Sequence, residues 1–232
     1  MVLKKKDFIE IEFTGKVKDG EIFDSNIKKD LEESNLDVKP KPFIFALGEG
    51  MFLKGVDDFL IGKENDVGKY EVELKPDKAF GPRNQEFIQI INSKVFREQK
   101  LNPAPGLMFN FDGRMAKVLS VSGGRVIVDF NNPIAGKTVI YNLNVLRKIE
   151  DINEKTKAFI SFLFRKDLKF KIDNKKITLE VEKNLAKLVE AFKDKFKEVL
   201  DLDLEVKEIK EEKPKEEEKK EEKKEETEKK SQ

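Results

Sequence analysis

The chain contains no Cys and no His. That removes thiol nucleophiles, disulfides and thiolate metal sites, along with the usual neutral-pH base and the commonest metal ligand. Chemistry has to come from carboxylates, hydroxyls, amides or the shape of an apolar surface. The paired carboxylates Asp57-Asp58 and Glu32-Glu33 have no partner base and no metal-ligand spacing, so they read as surface residues. Asp24 follows Phe23 and precedes Ser25, and taken alone it reads as a turn or capping residue. Each aromatic side chain taken alone reads as core. No metal and no cofactor are expected.

The elements that must hold these residues are legible in the hydrophobic pattern. Ile9, Ile11 and Phe13 alternate with Glu10 and Glu12, the period of a half-buried strand, and Asp19-Gly20 is a hairpin signal ahead of Ile22 and Phe23. Residues 25–41 form a polar loop with a short helix around 29–33. Leu53, Val56, Phe59 and Leu60 recur at helical spacing before Gly62, a C-cap glycine. Tyr70, Val72 and Leu74 alternate up to Pro76, and Val139, Tyr141, Leu143 and Val145 alternate again much later.

Between those last two strands, residues 84–133 carry ten charged residues in fifty, against 40% for the chain, and include Phe87, Phe96, Phe109, Phe111, Phe130, Met108 and Met115. A Gly123-Gly124 hairpin marks this section as an all-β inserted unit. About half of its Phe and Met side chains are needed for its own core, and the rest can form a soft surface for unfolded chains. From Asp151 a third pattern begins. Asp151 and Glu154 have capping-box spacing, a hairpin turns at Asp173-Asn174, and one helical stripe runs from Leu185 through Leu188, Val189, Phe192, Phe196 and Val199 to Leu200. The order α-β-β-α-β describes a small α+β domain. The stripe packs on its own hairpin, with a homodimer through this domain as the other reading.

The last 23 residues, 210–232, contain 19 Lys or Glu and no apolar side chain, a solvated tail. The predicted division is therefore 1–83 with 134–151 as one discontinuous domain, 84–133 as the insert, 152–209 as the C-terminal domain and 210–232 as the tail. Lys plus Arg is 47 against 46 Asp plus Glu, so no nucleic-acid or membrane partner is expected. Residues 1–6 are basic but run straight into an alternating strand, and no segment approaches the roughly 18 apolar residues of a membrane span. The expectation is a soluble cytoplasmic protein.

Phe13-Thr14-Gly15, Asp19-Gly20, Phe23-Asp24-Ser25, the run 42–48 (PFIFALG), Lys54-Gly55 and Ala79-Phe80-Gly81 stand in the order and approximate spacing of the FKBP pattern. The chain resembles that family over residues 1–82 and 136–150. The insertion after Gly81 is similar to the insert-in-flap domain of SlyD-like isomerases, and the length resembles the long archaeal members. The resemblance implies an α+β fold, a twisted antiparallel sheet around a short helix, and peptidyl-prolyl cis/trans isomerase activity on unfolded or nascent polypeptides containing X-Pro bonds. It implies Phe23, Asp24, Phe80 and Tyr141 as catalytic residues and Phe13, Phe43, Met51, Phe52, Leu53 and Val56 as substrate-binding residues. Phe13 and Phe80 stand where many relatives have Tyr, and Val56 replaces a larger residue. Asn132 stands in place of a His, and the His/Cys tail of bacterial SlyD is replaced by Lys and Glu, so nickel delivery is not implied.

That activity needs no histidine. Rotation about the amide C–N bond faces a barrier of about 18–20 kcal/mol and breaks no covalent bond. Twisting removes resonance and lowers the amide dipole, so a dry apolar pocket disfavours the planar ground state more than the transition state. Two functions fit the residues: a folding enzyme with chaperone activity in the insert, or mainly a holdase with a weak isomerase domain.

Overall fold

The structure, a computed structural model, describes residues 2–64 and 67–209. The tail expected at 210–232 lies outside the described residues. The chain forms two compact units that divide between Ile149 and Glu150.

In the first unit, β1 (Phe8–Val17), β2 (Ile22–Ser25), β3 (Phe43–Ala46), β4 (Gly68–Leu74) and β9 (Val139–Ile149) make one five-stranded sheet in the order β2-β1-β9-β4, with β3 also pairing β1. The pairings among these strands are antiparallel. Alternation puts Ile9, Ile11, Phe13, Val72, Leu74, Val139, Tyr141, Leu143 and Val145 in the core. Two helices belong to this part, the short α1 (Lys28–Glu33) and α2 (Lys54–Leu60), which buries Val56 and Leu60. Asp57 is buried on α2 as well, at 3% exposure. This corrects the reading of Asp57-Asp58 as a surface pair. Successive helix residues point about 100° apart, so Asp58 faces out to Lys78 while Asp57 faces in.

The inserted part contains β5 (Ile88–Asn92), α3 (Ser93–Glu98), β6 (Met108–Phe111), β7 (Arg114–Ser122) and β8 (Arg125–Asp129), with sheet order β5-β8-β7-β6. It is not purely β. The side chain of Asn92 caps α3 by accepting from the Lys94 N–H at 2.9 Å. At six residues, α3 is too short to show a helical period in the sequence. Phe96 on α3 is packed with Ala116, Val118, Val126 and Val128, and Phe109, Phe111 and Phe130 close over that core. The linkers to and from the insert run together. The Gly136 N–H donates to the Gly81 carbonyl at 2.8 Å, Asn131 exchanges two hydrogen bonds with the Asn84 backbone at 2.8 and 2.9 Å, and Arg83 pairs with Asp129.

In the second unit, α4 (Ile152–Phe164) is capped by Asp151, whose side chain accepts from the Glu154 N–H at 2.8 Å. The hairpin β10 (Lys169–Asp173) and β11 (Lys176–Glu182) is joined by β12 (Asp203–Ile209), which lies parallel to β11. The connection holds two helices where one was expected, α5 (Lys183–Glu190) and α6 (Lys193–Leu200). The break lets Phe192 meet Phe164 at 5.4 Å between ring centroids while Phe196 meets Phe159 at 5.2 Å. Val189, Phe196, Val199 and Leu200 are buried within the unit, and Leu188 turns outward. Most of the stripe is thus used internally.

Candidate active site

Six rings from separate stretches of the first unit converge. Phe13 comes from β1, Phe23 from β2, Phe43 from β3, Phe52 from the loop before α2, Phe80 from the loop after β4, and Tyr141 from β9. Tyr141 stands at the centre, with ring centroids 5.5 Å from Phe52, 5.9 Å from Phe23 and 6.0 Å from Phe13. Phe23 meets Phe80 edge to face at 5.5 Å, and Phe13 lies 5.0 Å from Phe52 and 6.3 Å from Phe43. Edge-to-face pairs of this kind favour a fixed arrangement beyond their buried area.

The site residues read from the sequence divide by exposure. Phe13, Met51, Val56 and Tyr141 are buried, and Phe23, Asp24, Phe43, Phe52, Leu53 and Phe80 are half-buried. Met51 also accepts the Ala46 N–H at its sulfur, at 3.3 Å, which fixes the start of the loop bearing Phe52. Phe45, absent from the sequence-derived set, stacks on Phe43 at 5.4 Å and extends the aromatic wall inward.

Asp24 is the acidic member. Burial raises its carboxyl above the ordinary range, opposed by the nearby Tyr141 hydroxyl. The Tyr141 hydroxyl is pushed up in turn, first by burial and then by Asp24. The phenol and the carboxylate act on one another as a hydrogen-bond donor and acceptor that fall short of close geometry. The hydroxyl and Asp24 are thus a loosely coupled polar pair in a mostly apolar site.

Local sequence explains how these groups are held. Beyond Asp24, the Ser25 hydroxyl donates to the Phe13 carbonyl at 2.9 Å. Asn26 accepts the Phe13 N–H at 2.7 Å and donates to the Ile11 carbonyl at 2.9 Å. These side chains replace ladder hydrogen bonds where β2 ends, and they fix the backbone on which Phe13 sits. Gly15 was missed as a contributor. A Cβ there would come within 2.9 Å of the Tyr141 ring and 3.2 Å of Phe23. A glycine inside a strand is the available signal for such a close approach.

Nothing in this arrangement offers a nucleophile with a base, and among the described residues no group of three or more Asp or Glu is placed to hold a metal ion. The arrangement suits binding an apolar ring and changing the environment of an amide.

Comparison with known proteins gives the family in which such a site is found. Residues 2–97 match the model of the FKBP-type peptidyl-prolyl cis-trans isomerase family, and residues 89–134 match that of the FKBP26 IF domain. The short-type peptidyl-prolyl cis-trans isomerase of Methanocaldococcus jannaschii is 28% identical over 148 residues, covering 62% of this chain and 92% of that protein. The FKBP-type 16 kDa peptidyl-prolyl cis-trans isomerase of Escherichia coli K12 is 35% identical over 112 residues, 46% of this chain and 73% of that protein. The isomerase SlyD of Treponema pallidum is 27% identical over 169 residues, 70% of this chain and 86% of that one.

Proposed function

The chain belongs to the FKBP-type peptidyl-prolyl cis/trans isomerase family and is a SlyD-like isomerase with an insert in its flap; from that premise we propose that it assists folding by isomerising X-Pro bonds in chains that the insert holds. The prolyl ring enters among Phe23, Phe80 and Tyr141, with Phe13, Phe43, Phe52 and Leu53 as further walls and Met51 and Val56 beneath. The apolar surroundings penalise the planar, more dipolar amide relative to the twisted one, so binding energy is spent on the transition state. Asp24 acts electrostatically on the twisting amide and transfers no proton. Backbone N–H groups near Phe52 or Leu53 take a substrate carbonyl.

The observation that carries the holding role is the distribution of exposed apolar side chains. Phe87, Ile90, Leu107, Met108, Met115 and Leu119 are all exposed on the insert, at 66% for Ile90 and 50% for Met115. Register gives the neighbours of several of them. Ile90 pairs with Ile127 across β5 and β8, and Met108 pairs with Lys117 two residues from Met115 on β7. Clustered apolar exposure marks a binding surface, and flexible Met side chains adapt to many partners. The test is suppression of aggregation of a chemically unfolded protein by the full chain and by a Met108→Ser, Met115→Ser, Leu119→Ser variant. Loss of suppression with peptide isomerase activity retained is expected. Undiminished suppression removes this surface from the account.

A further inference from the structure

Outside the aromatic site, Asp57 is the carboxylate whose surroundings ask for an explanation. It is almost fully buried on α2, and one of its oxygens has no hydrogen-bond partner. The carboxylate accepts the Gly48 backbone N–H. Gly48 opens the loop 48–53, which leads from β3 to α2 and carries Met51, Phe52 and Leu53. Both ends of that loop are anchored. Leu47 exchanges hydrogen bonds with Lys6 and Asp7 at 2.9 Å, and the Leu53 carbonyl accepts the Val56 and Asp57 N–H groups at 2.9 and 3.1 Å. Gly48 has φ +74°, and a Cβ there would meet Lys5 Cγ at 2.9 Å.

The charges facing Asp57 are named by the same elements. Glu49, with its side chain 2% exposed, stands 3.6 Å from Lys5 Nζ, and Asp58 pairs with Lys78 at 3.2 Å. We propose that Asp57 is a positioning residue for the isomerase reaction: by gripping the Gly48 amide from α2 it sets the shape of the loop that presents Phe52 and Leu53, and it grips more firmly when ionised. The inference rests on the isomerase activity and on Phe52 meeting substrate. Burial first, and then repulsion from Asp58 and Glu49, outweigh the gain from the Gly48 amide and push the Asp57 carboxyl up to about 6. An acid whose pKa is raised by its folded surroundings favours those surroundings when protonated. The cost of ionisation therefore grows as pH rises from the ordinary carboxylate range toward about 6 and is constant above it.

The experiment measures kcat/KM for a prolyl tetrapeptide, and the melting temperature, for the full chain and for Asp57→Asn and Asp57→Ala between about pH 4.5 and 8. The Asn oxygen accepts the Gly48 N–H without the charge. In kcat/KM the ratio of Asp57→Asn to wild type should be about one third above about pH 6, where the ionised carboxylate is the stronger acceptor, and rise toward one as pH falls, with the titration of Asp24 cancelling in the ratio. The melting temperature of Asp57→Asn should exceed that of wild type over the same range and converge with it at acid pH. Asp57→Ala should lose about tenfold in kcat/KM throughout, with most of the loss restored by Asn. A ratio independent of pH, or an Ala variant as active as wild type, overturns the proposal. If the Ala variant does not fold, the Asn profile alone decides. An inactive wild type sinks the isomerase reading instead, so the two failures are distinguishable.

Discussion

Asp24 and Tyr141 flank the same residue: on β2 and on β9 respectively, each is the direct cross-strand partner of Gly15 on β1. The carboxylate and the phenol are thus held two strands apart across a position with no side chain. That spacing leaves them close enough to act on one another as a loose donor and acceptor. A substrate amide entering there meets one acceptor and one donor that is only loosely held by it.

Filling that position should be costly. The Cβ of Gly15→Ala would press on the Tyr141 ring from 2.9 Å. Overpacking of this kind typically destabilises by about 1–3 kcal/mol. Thermal unfolding should show that loss, and peptide isomerisation should fall with it in the fraction that stays folded. A variant as stable and active as wild type would mean that the strands yield without effort.

Removing the carboxylate separates mechanism from support. Asp24→Ala should slow peptide isomerisation about 5- to 150-fold, the range equivalent to losing an interaction of about 1–3 kcal/mol. Because burial raises its carboxyl, wild-type activity should begin to decline on acidification above the ordinary Asp range, and Asp24→Asn should lack that step. An unchanged rate in folded Asp24→Ala removes the group from the reaction.

Tyr141→Phe asks a different question of the same pair. Its hydroxyl is buried and engages Asp24 only loosely, so deleting it should leave stability within about 1 kcal/mol of wild type. A fall in kcat/KM in a variant of undiminished melting temperature would assign the hydroxyl to substrate. A large loss of stability would show instead that it serves the fold.

Asn26 should prove structural. It satisfies two backbone groups beside Phe13 from a buried position. Asn26→Ala strands them, at a cost of about 1–3 kcal/mol in denaturant unfolding. A shift smaller than about 0.5 kcal/mol would show that water or the neighbouring strand takes over.

How much of this was legible in advance depended on side-chain pattern. The strands carrying Tyr70, Val72 and Leu74, and Tyr141 with Leu143, alternate cleanly because one face of the sheet is polar. The aromatic site was reached through a resemblance, since its rings come from six stretches whose meeting no local period encodes. Gly15 interrupts its strand, which signals a close approach, but the sequence does not say that the neighbours are Tyr141 and Phe23. The adjacent Asp58 gives Asp57 the look of a surface residue, although Leu53, Asp57 and Leu60 have the i, i+4, i+7 spacing of one helical face. The helix break near Phe192 followed from ring contacts with α4, which lie outside the helix's own sequence.

The central claim is that the insert holds a chain while the aromatic site turns its prolines, and one pair of rates tests it most directly. The Gly81 and Gly136 backbones already lie 2.8 Å apart, N to O, so residues 84–133 can be replaced by a short Gly-rich turn without stretching the flap. Holding the chain nearby makes encounter with the site intramolecular, with an effective concentration in the mM range for a short connection. The measurement is proline-limited refolding of an unfolded protein beside tetrapeptide isomerisation, for wild type and the replaced variant. Refolding catalysis should fall about 10- to 100-fold while the tetrapeptide rate changes much less. An equal loss on both substrates would contradict the account and leave the insert as a support for the site.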